Sequence, residues 1–173
     1  MGYAGGTTPA PTYTSIGDHT ETIRMEYDPT VISYAELLQI FWADHDPTAA
    51  AYSTQYRSVI LYMDDEQKRI AEESKAAEAE RRGEPVLTAI EPFDGFTSAE
   101  DYHQKYRLQH HSTVMADYHA YYPDFDELVD STAVARLNGY VSGHGSWDEL
   151  EADIDAYGLS PAAREYLEAL LDR

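Results

Sequence analysis

The sequence predicts a mixed helix-and-strand fold, of the α+β or α/β class, over residues 1–111, followed by a helical extension over 112–173. Three observations point there. Short apolar alternations and longer 3.6-residue apolar repeats succeed one another as strand, helix, strand, helix, strand, helix up to about Gln109. From Ser112 onward the alternations stop and only helical spacing remains. A length of 173 residues with 43% hydrophobic content suits one domain with a packed core.

In order along the chain, residues 1–20 read as loop, punctuated by Gly2, Gly5, Gly6, Pro9, Pro11 and Gly17. Residues 22–27 alternate, with Ile23, Met25 and Tyr27 on one face, which predicts a strand ended by Asp28-Pro29. Ser33 and Glu36 have capping-box spacing ahead of a helix, with Tyr34, Leu37, Leu38 and Phe41 on one side, that should run to about Asp44. Residues 58–63 predict a second strand. Asp64 then caps a long helix over 65–82, closed by Gly83, whose mixed charges read as a solvated face. Residues 85–90 predict a third strand and 101–109 a short helix. Four helical patterns follow, over 112–121, 124–141, 146–156 and 160–171. Ser146 with Glu149 and Ser160 with Pro161 start the last two. The apolar stripes Leu150, Ile154, Tyr157 and Leu167, Leu170, Leu171 predict an extension packed on the core rather than an independent domain.

Composition excludes several classes of partner. Thirty-two Asp and Glu face twelve Lys and Arg, a net charge of −20. Such a chain repels nucleic acid and anionic membrane, so neither is expected as a partner. Two settings stay open: a salt-rich cytoplasm that screens the self-repulsion, or an ordinary acidic protein. No apolar run approaches a membrane span, and residues 1–30 lack the pattern of a signal peptide, so a cytoplasmic location is expected. There is no cysteine, hence no disulfide, thiolate metal site or thiol catalysis from these residues. His103, His110, His111, His119 and His144 show no familiar ligand spacing, and His110 and His111 fall on different helix faces. No metal and no cofactor are expected.

The polar constellations fall in a definite order. Gly2-Tyr3-Ala4-Gly5-Gly6 is followed by Pro11-Thr12-Tyr13, then His19-Thr20-Glu21, then Tyr27-Asp28-Pro29. His45-Asp46-Pro47 comes next, then Ser53-Thr54-Gln55-Tyr56-Arg57-Ser58, and last Glu100-Asp101-Tyr102-His103-Gln104 with Tyr106. Over roughly residues 2–108 this ordered set resembles the peptide methionine sulfoxide reductases of the A type, which act on the S epimer of methionine sulfoxide.

The resemblance implies an α+β fold with a two-layer, mixed-sheet core. It also implies peptidyl and free methionine-S-sulfoxide as substrate and a thioredoxin-like protein as reductant. In that chemistry a thiolate attacks the sulfoxide sulfur while acids protonate the departing oxygen. Glu21 matches the family's acid in its His-x-Glu motif, Tyr13 the tyrosine of Pro-Thr-Tyr, and Tyr56 that of Gln-Tyr-Arg. An apolar pocket can hold such an acid protonated, raising its pKa by up to about 3–5 units when burial is complete. Phenols nearby stabilise charge on the oxygen. Arg57 is expected to pair with a carboxylate, and His103 to orient its neighbours.

Two departures matter. The family's Gly-Cys-Phe-Trp motif, which carries the nucleophile and the aromatic pair around the substrate methyl, has no counterpart in this sequence. The expectation is therefore a chain that lacks the family's first strand and helix and is inactive alone, with Met1 an internal residue of a longer product. The second departure is Ala49-Ala50-Ala51-Tyr52, which stands where many members carry Gly-Asn-Asp, so an aspartate of the polar network is missing. The alternative is a non-catalytic protein that keeps the pocket and binds methionine sulfoxide.

Overall fold

The computed structural model describes residues 1–172. It divides between Ala99 and Glu100 into two compact units.

The first unit is α+β. Its strand β1 (Gly2–Ala4) is the middle of a three-stranded antiparallel sheet, flanked by β2 (Thr20–Thr22) and, later in the chain, by a strand at Phe96–Ser98. Tyr3 stands opposite Glu21, and Ala4 opposite Thr20. Helix α1 (Tyr34–Ala43) follows, started by the predicted capping box: the Ser33 hydroxyl accepts from the Glu36 amide, and the Glu36 carboxylate accepts from the Ser33 amide. Strand β3 (Val59–Tyr62) pairs in parallel with β4 (Ala89–Pro92), from Val59 against Ala89 to Tyr62 against Pro92. A parallel pair needs a crossover, and helix α2 (Asp65–Arg82) supplies it. Asp64 caps it through the Gln67 amide, and Gly83 closes it at φ 75°. The core here is Leu38, Trp42, Ile60, Ala71 and Val86, with the Trp42 indole donating to the Ser74 hydroxyl at 3.1 Å.

The strands depart most from the sequence reading. The loop predicted over 1–20 contains β1, and the strand predicted over 22–27 ends at Thr22. Alternation marks which side chains could share a face, but a strand needs a partner backbone, and β1 is three residues long. Ile23 and Met25 are accordingly 72% and 63% exposed. Gly2 shows why a glycine-rich turn can serve as a central strand: a Cβ there would lie 2.3 Å from the Thr97 carbonyl oxygen. That neighbouring strand, β5 (Phe96–Ser98), was not predicted. The third predicted strand, at 85–90, lies further along at Ala89–Pro92, its proline at the final residue.

The second unit is helical, with no strand among its described residues, as the sequence predicts. Its helices are α3 (Tyr106–Gln109), α4 (Ser112–Tyr121), α5 (Phe125–Asp130), α6 (Thr132–Tyr140), α7 (Trp147–Ala152) and α8 (Pro161–Leu171). Two 3₁₀ turns, Asp101–His103 and Ile154–Tyr157, complete it.

Three predicted helices are broken. The helix at 101–109 is interrupted by Lys105 at φ 47°, and that at 146–156 passes into the 3₁₀ turn at Asp153. The helix at 124–141 divides at Ser131, whose hydroxyl accepts from the Val134 amide and starts α6. Leu108, Val114, Leu128, Val134, Leu137, Leu150 and Leu167 are fully buried together in this unit. Burial of each large side chain is worth about 1.5–3 kcal/mol. Leu150, Tyr157 and Leu167 of the predicted stripes belong to this cluster, with Ile154, Leu170 and Leu171 packed against it. Among the described residues no helix is long and apolar enough to cross a membrane.

Candidate active site

The site is assembled on a buried polar anchor. Thr20, on β2, is 1% exposed. Its hydroxyl donates to the Thr54 carbonyl at 3.0 Å and accepts from Arg57 Nε at 2.8 Å. The Arg57 fork then grips Glu91 of β4, at 2.5 and 2.7 Å. That pairing raises the arginine and holds the Glu91 carboxyl below the usual range. The expected structural role of Arg57 is therefore what the geometry shows. One threonine and one arginine join β2, the 3₁₀ turn Thr54–Tyr56, and β4.

Residues adjacent to the anchor meet as a result. Glu21 follows Thr20 and Gln55 follows Thr54, and the Gln55 amide donates to Glu21 Oε1 at 2.6 Å. The same nitrogen donates to the Tyr56 hydroxyl at 3.1 Å. Hydrogen bonding with Tyr13 is the main cause that raises the Tyr56 phenol above the usual range, with partial desolvation and the charge of Glu21 adding to it.

Tyr13 arrives on a clasped loop. Thr12 and Ser15 exchange backbone hydrogen bonds at 3.3 and 3.0 Å, leaving Tyr13 as the first residue of the tight turn between them. At the base of the loop, Asp18 accepts from the amides of Thr7 and Thr8 at 2.9 Å and from both hydroxyls, at 2.9 and 2.7 Å. These donors, the Thr8 hydroxyl first, hold the Asp18 carboxyl far below the carboxylate range. The buried His19 ring closes the loop from inside, donating from Nε2 to the Thr8 carbonyl at 2.8 Å. Gly17, at φ 63°, admits the Thr8 hydroxyl within 2.1 Å of where a Cβ would stand.

The three residues singled out from the sequence, Glu21, Tyr13 and Tyr56, thus come together. What differs from expectation is enclosure. Tyr13 is 39% and Tyr56 53% exposed, and Glu21 is only half-buried. Tyr52, in the stretch that replaces Gly-Asn-Asp, is 93% exposed. Two surface depressions, of about 430 and 590 Å³, lie elsewhere, one against Lys75 and Ile90 and the other between α1 and α2 around Trp42. The acid and phenols form an open, polar patch. It can donate hydrogen bonds to a polarised oxygen and contribute a carboxyl group, but no nucleophilic sulfur.

Other motifs resolve into structure. His45 donates from Nδ1 to the Phe41 carbonyl at 2.7 Å, so its Nε2 accepts from Ser58 at 2.9 Å, and Ser58 also meets Thr88 at 2.9 Å. His110 bonds the Tyr106 carbonyl and His111 the Tyr166 hydroxyl. His103 sits in the second unit, its ring 4.1 Å from that of Tyr102. Among the described residues no cluster of three or more His, Asp or Glu could hold a metal ion. One residue was missed as a site member: Gln55 lay inside the motif 53–58 without a role, and its adjacency to Tyr56 was the available signal.

A family profile described as peptide methionine sulfoxide reductase matches residues 1–133, and one described as selenoprotein methionine sulfoxide reductase A, helical domain, matches residues 124–170. A peptide methionine sulfoxide reductase of Drosophila melanogaster is 43% identical over 169 residues, covering 96% of this chain and 67% of the relative. Peptide methionine sulfoxide reductase A5 of Oryza sativa subsp. japonica is 38% identical over 148 residues, covering 82% of this chain and 58% of that protein. The chain thus spans between about half and two thirds of these relatives' lengths. The crystal structure of Mxr1 from Saccharomyces cerevisiae in reduced form aligns with a TM-score of 0.59 at 30% identity, covering 64% of this chain and 69% of that one.

Proposed function

The chain belongs to the peptide methionine sulfoxide reductase family, and on that premise we propose that it recognises methionine-S-sulfoxide, free or in peptides, for reduction to methionine. Glu21, Tyr13 and Tyr56 bind the sulfoxide oxygen and supply protons to it. The observation that carries this reading is the chain of contacts joining the three: the Gln55 amide donates to Glu21 at 2.6 Å and to Tyr56 at 3.1 Å, and Tyr56 hydrogen-bonds with Tyr13. Reduction itself requires a thiolate to attack sulfur while the oxygen is protonated and leaves, and these 173 residues hold no thiol. The purified chain therefore gives no turnover with dithiothreitol, and a sequence-verified sample that reduces the S epimer would refute this. Where such a thiol is supplied, a thioredoxin-like protein returns it to its reduced state. The net charge of −20 supports a salt-rich cytoplasm as its setting.

A second reading has one observation in its favour: the oxygen-binding groups are assembled without a thiol. In that reading the chain binds methionine sulfoxide and does not turn it over. Calorimetric titration with the S epimer tests the binding that both readings share. Binding heat that Glu21→Gln abolishes supports them, and absence of heat in the unaltered chain refutes both.

A further inference from the structure

We propose that Gln55 is a positioning residue of the oxygen site, whose single amide nitrogen fixes Glu21 against Tyr56 and decides which of their oxygens faces a guest. The inference rests on the sulfoxide reading of this site.

An amide nitrogen carries two protons and accepts nothing. Both are committed here, one to Glu21 Oε1 at 2.6 Å and one to the Tyr56 oxygen at 3.1 Å. Two consequences follow. Oε1 of Glu21 is held as an acceptor, so Oε2 is the oxygen left to meet a guest. The Tyr56 oxygen is likewise held as an acceptor, so its own proton points away from Gln55. The opposite orientation of the amide would set Oε1 of Gln55 against the carboxyl, which is tolerable only when that carboxyl is protonated.

The backbone makes the contact a built one. Gln55 lies within a 3₁₀ turn fixed by Tyr56 N to Ser53 O at 3.2 Å. That turn is tied to β2 through Thr20 and Thr54, one residue from each partner, at 3.0 Å. The side chain cannot slide along the strand without breaking the buried threonine bond.

The test uses the 173-residue chain with methionine-S-sulfoxide as probe, titrated by calorimetry from pH 5 to 9. Gln55→Met keeps length and removes both donors, and should weaken binding about tenfold, the scale of losing hydrogen bonds that order a site. Gln55→Glu places a second carboxylate against Glu21, and should move the pH at which affinity is lost upward. A residue that only holds the fold would leave that pH unchanged. If Gln55→Met binds as the unaltered chain does and Gln55→Glu leaves the pH dependence in place, the proposal is overturned. Glu21→Gln guards the reading beneath it. If the unaltered chain binds no sulfoxide, the sulfoxide reading fails. The Gln55 contact is then judged by its side-chain amide proton resonances. Displaced by Glu21→Gln they support the positioning role, and unmoved they refute it.

Discussion

Thr20 shows how a residue with no chemistry of its own can decide whether a site exists. Its hydroxyl accepts from Arg57 and donates to the Thr54 carbonyl, at 1% exposure. Replacing it with valine keeps the shape and strands both partners. A buried group left unsatisfied costs about 1–3 kcal/mol, so Thr20→Val should lower the unfolding free energy from urea titration by that amount. It should also abolish sulfoxide binding, because Glu21 and Gln55 are registered through it. Tyr56→Phe makes the opposite prediction: an exposed phenol leaves stability nearly unchanged and weakens binding of the S epimer. Unfolding curves beside binding isotherms separate the two. Glu21, Tyr13 and Tyr56 were legible in the sequence because motif order marks them. Gln55 was not, because an amide's role depends on which groups stand within 3 Å, and a one-dimensional pattern holds no such distances.

Helices were legible to within a residue where a cap announces their start, and α4 was legible at both ends from its spacing without one. Ser33 with Glu36, Asp64 and Gly83 are local signals, satisfied by atoms three or four residues away. Strands β1 and β5 have no local signal, since each exists through its partner. The breaks at Lys105 and Ser131 were invisible for a related reason: apolar spacing continues across them. The elements also set the pH response. In the second unit the buried Tyr118 donates from α4 to the Tyr157 carbonyl at 3.1 Å, and burial pushes its phenol well above the usual range. A raised folded value means stability that is fully present below the unfolded phenol value, about 10, and is lost as pH rises toward the folded one. Far-ultraviolet circular dichroism should show this unit melting at strongly alkaline pH, and Tyr118→Phe should blunt that dependence. On α2 the sign reverses. Glu78 accepts from Arg81 and Arg82, and its carboxyl is held down at about 2. Its contribution is present above the unfolded value of 4.5 and is lost as pH falls to about 2. Glu78→Gln should flatten the acid limb of the stability curve between those values.

At the scale of the molecule, charge was the most legible property and strand pairing the least. Thirty-two acids against twelve bases is a fact of composition, and no pairing in the fold changes the sum. Local ion pairs use much of the positive charge: Arg57, Arg69, Arg81, Arg82, Arg136 and Arg164 each hold a carboxylate. The surplus of twenty negative charges therefore repels itself across the surface. Salt weakens that repulsion over a screening length of about 10 Å at 0.1 M and about 3 Å at 1 M. Two settings then predict different curves. For an ordinary acidic protein, the melting temperature should level off once the screening length falls below the spacing of surface carboxylates, within a few tenths molar. For a chain adapted to a salt-rich cytoplasm it should keep climbing into the molar range, because screening between close neighbours continues to improve. Melting scans in potassium chloride from 0.1 to 3 M decide between them when run beside sucrose at equal osmolality. Sucrose strengthens burial without screening charge. A rise matched by sucrose would remove charge as its cause, and with it the argument for a high-salt setting.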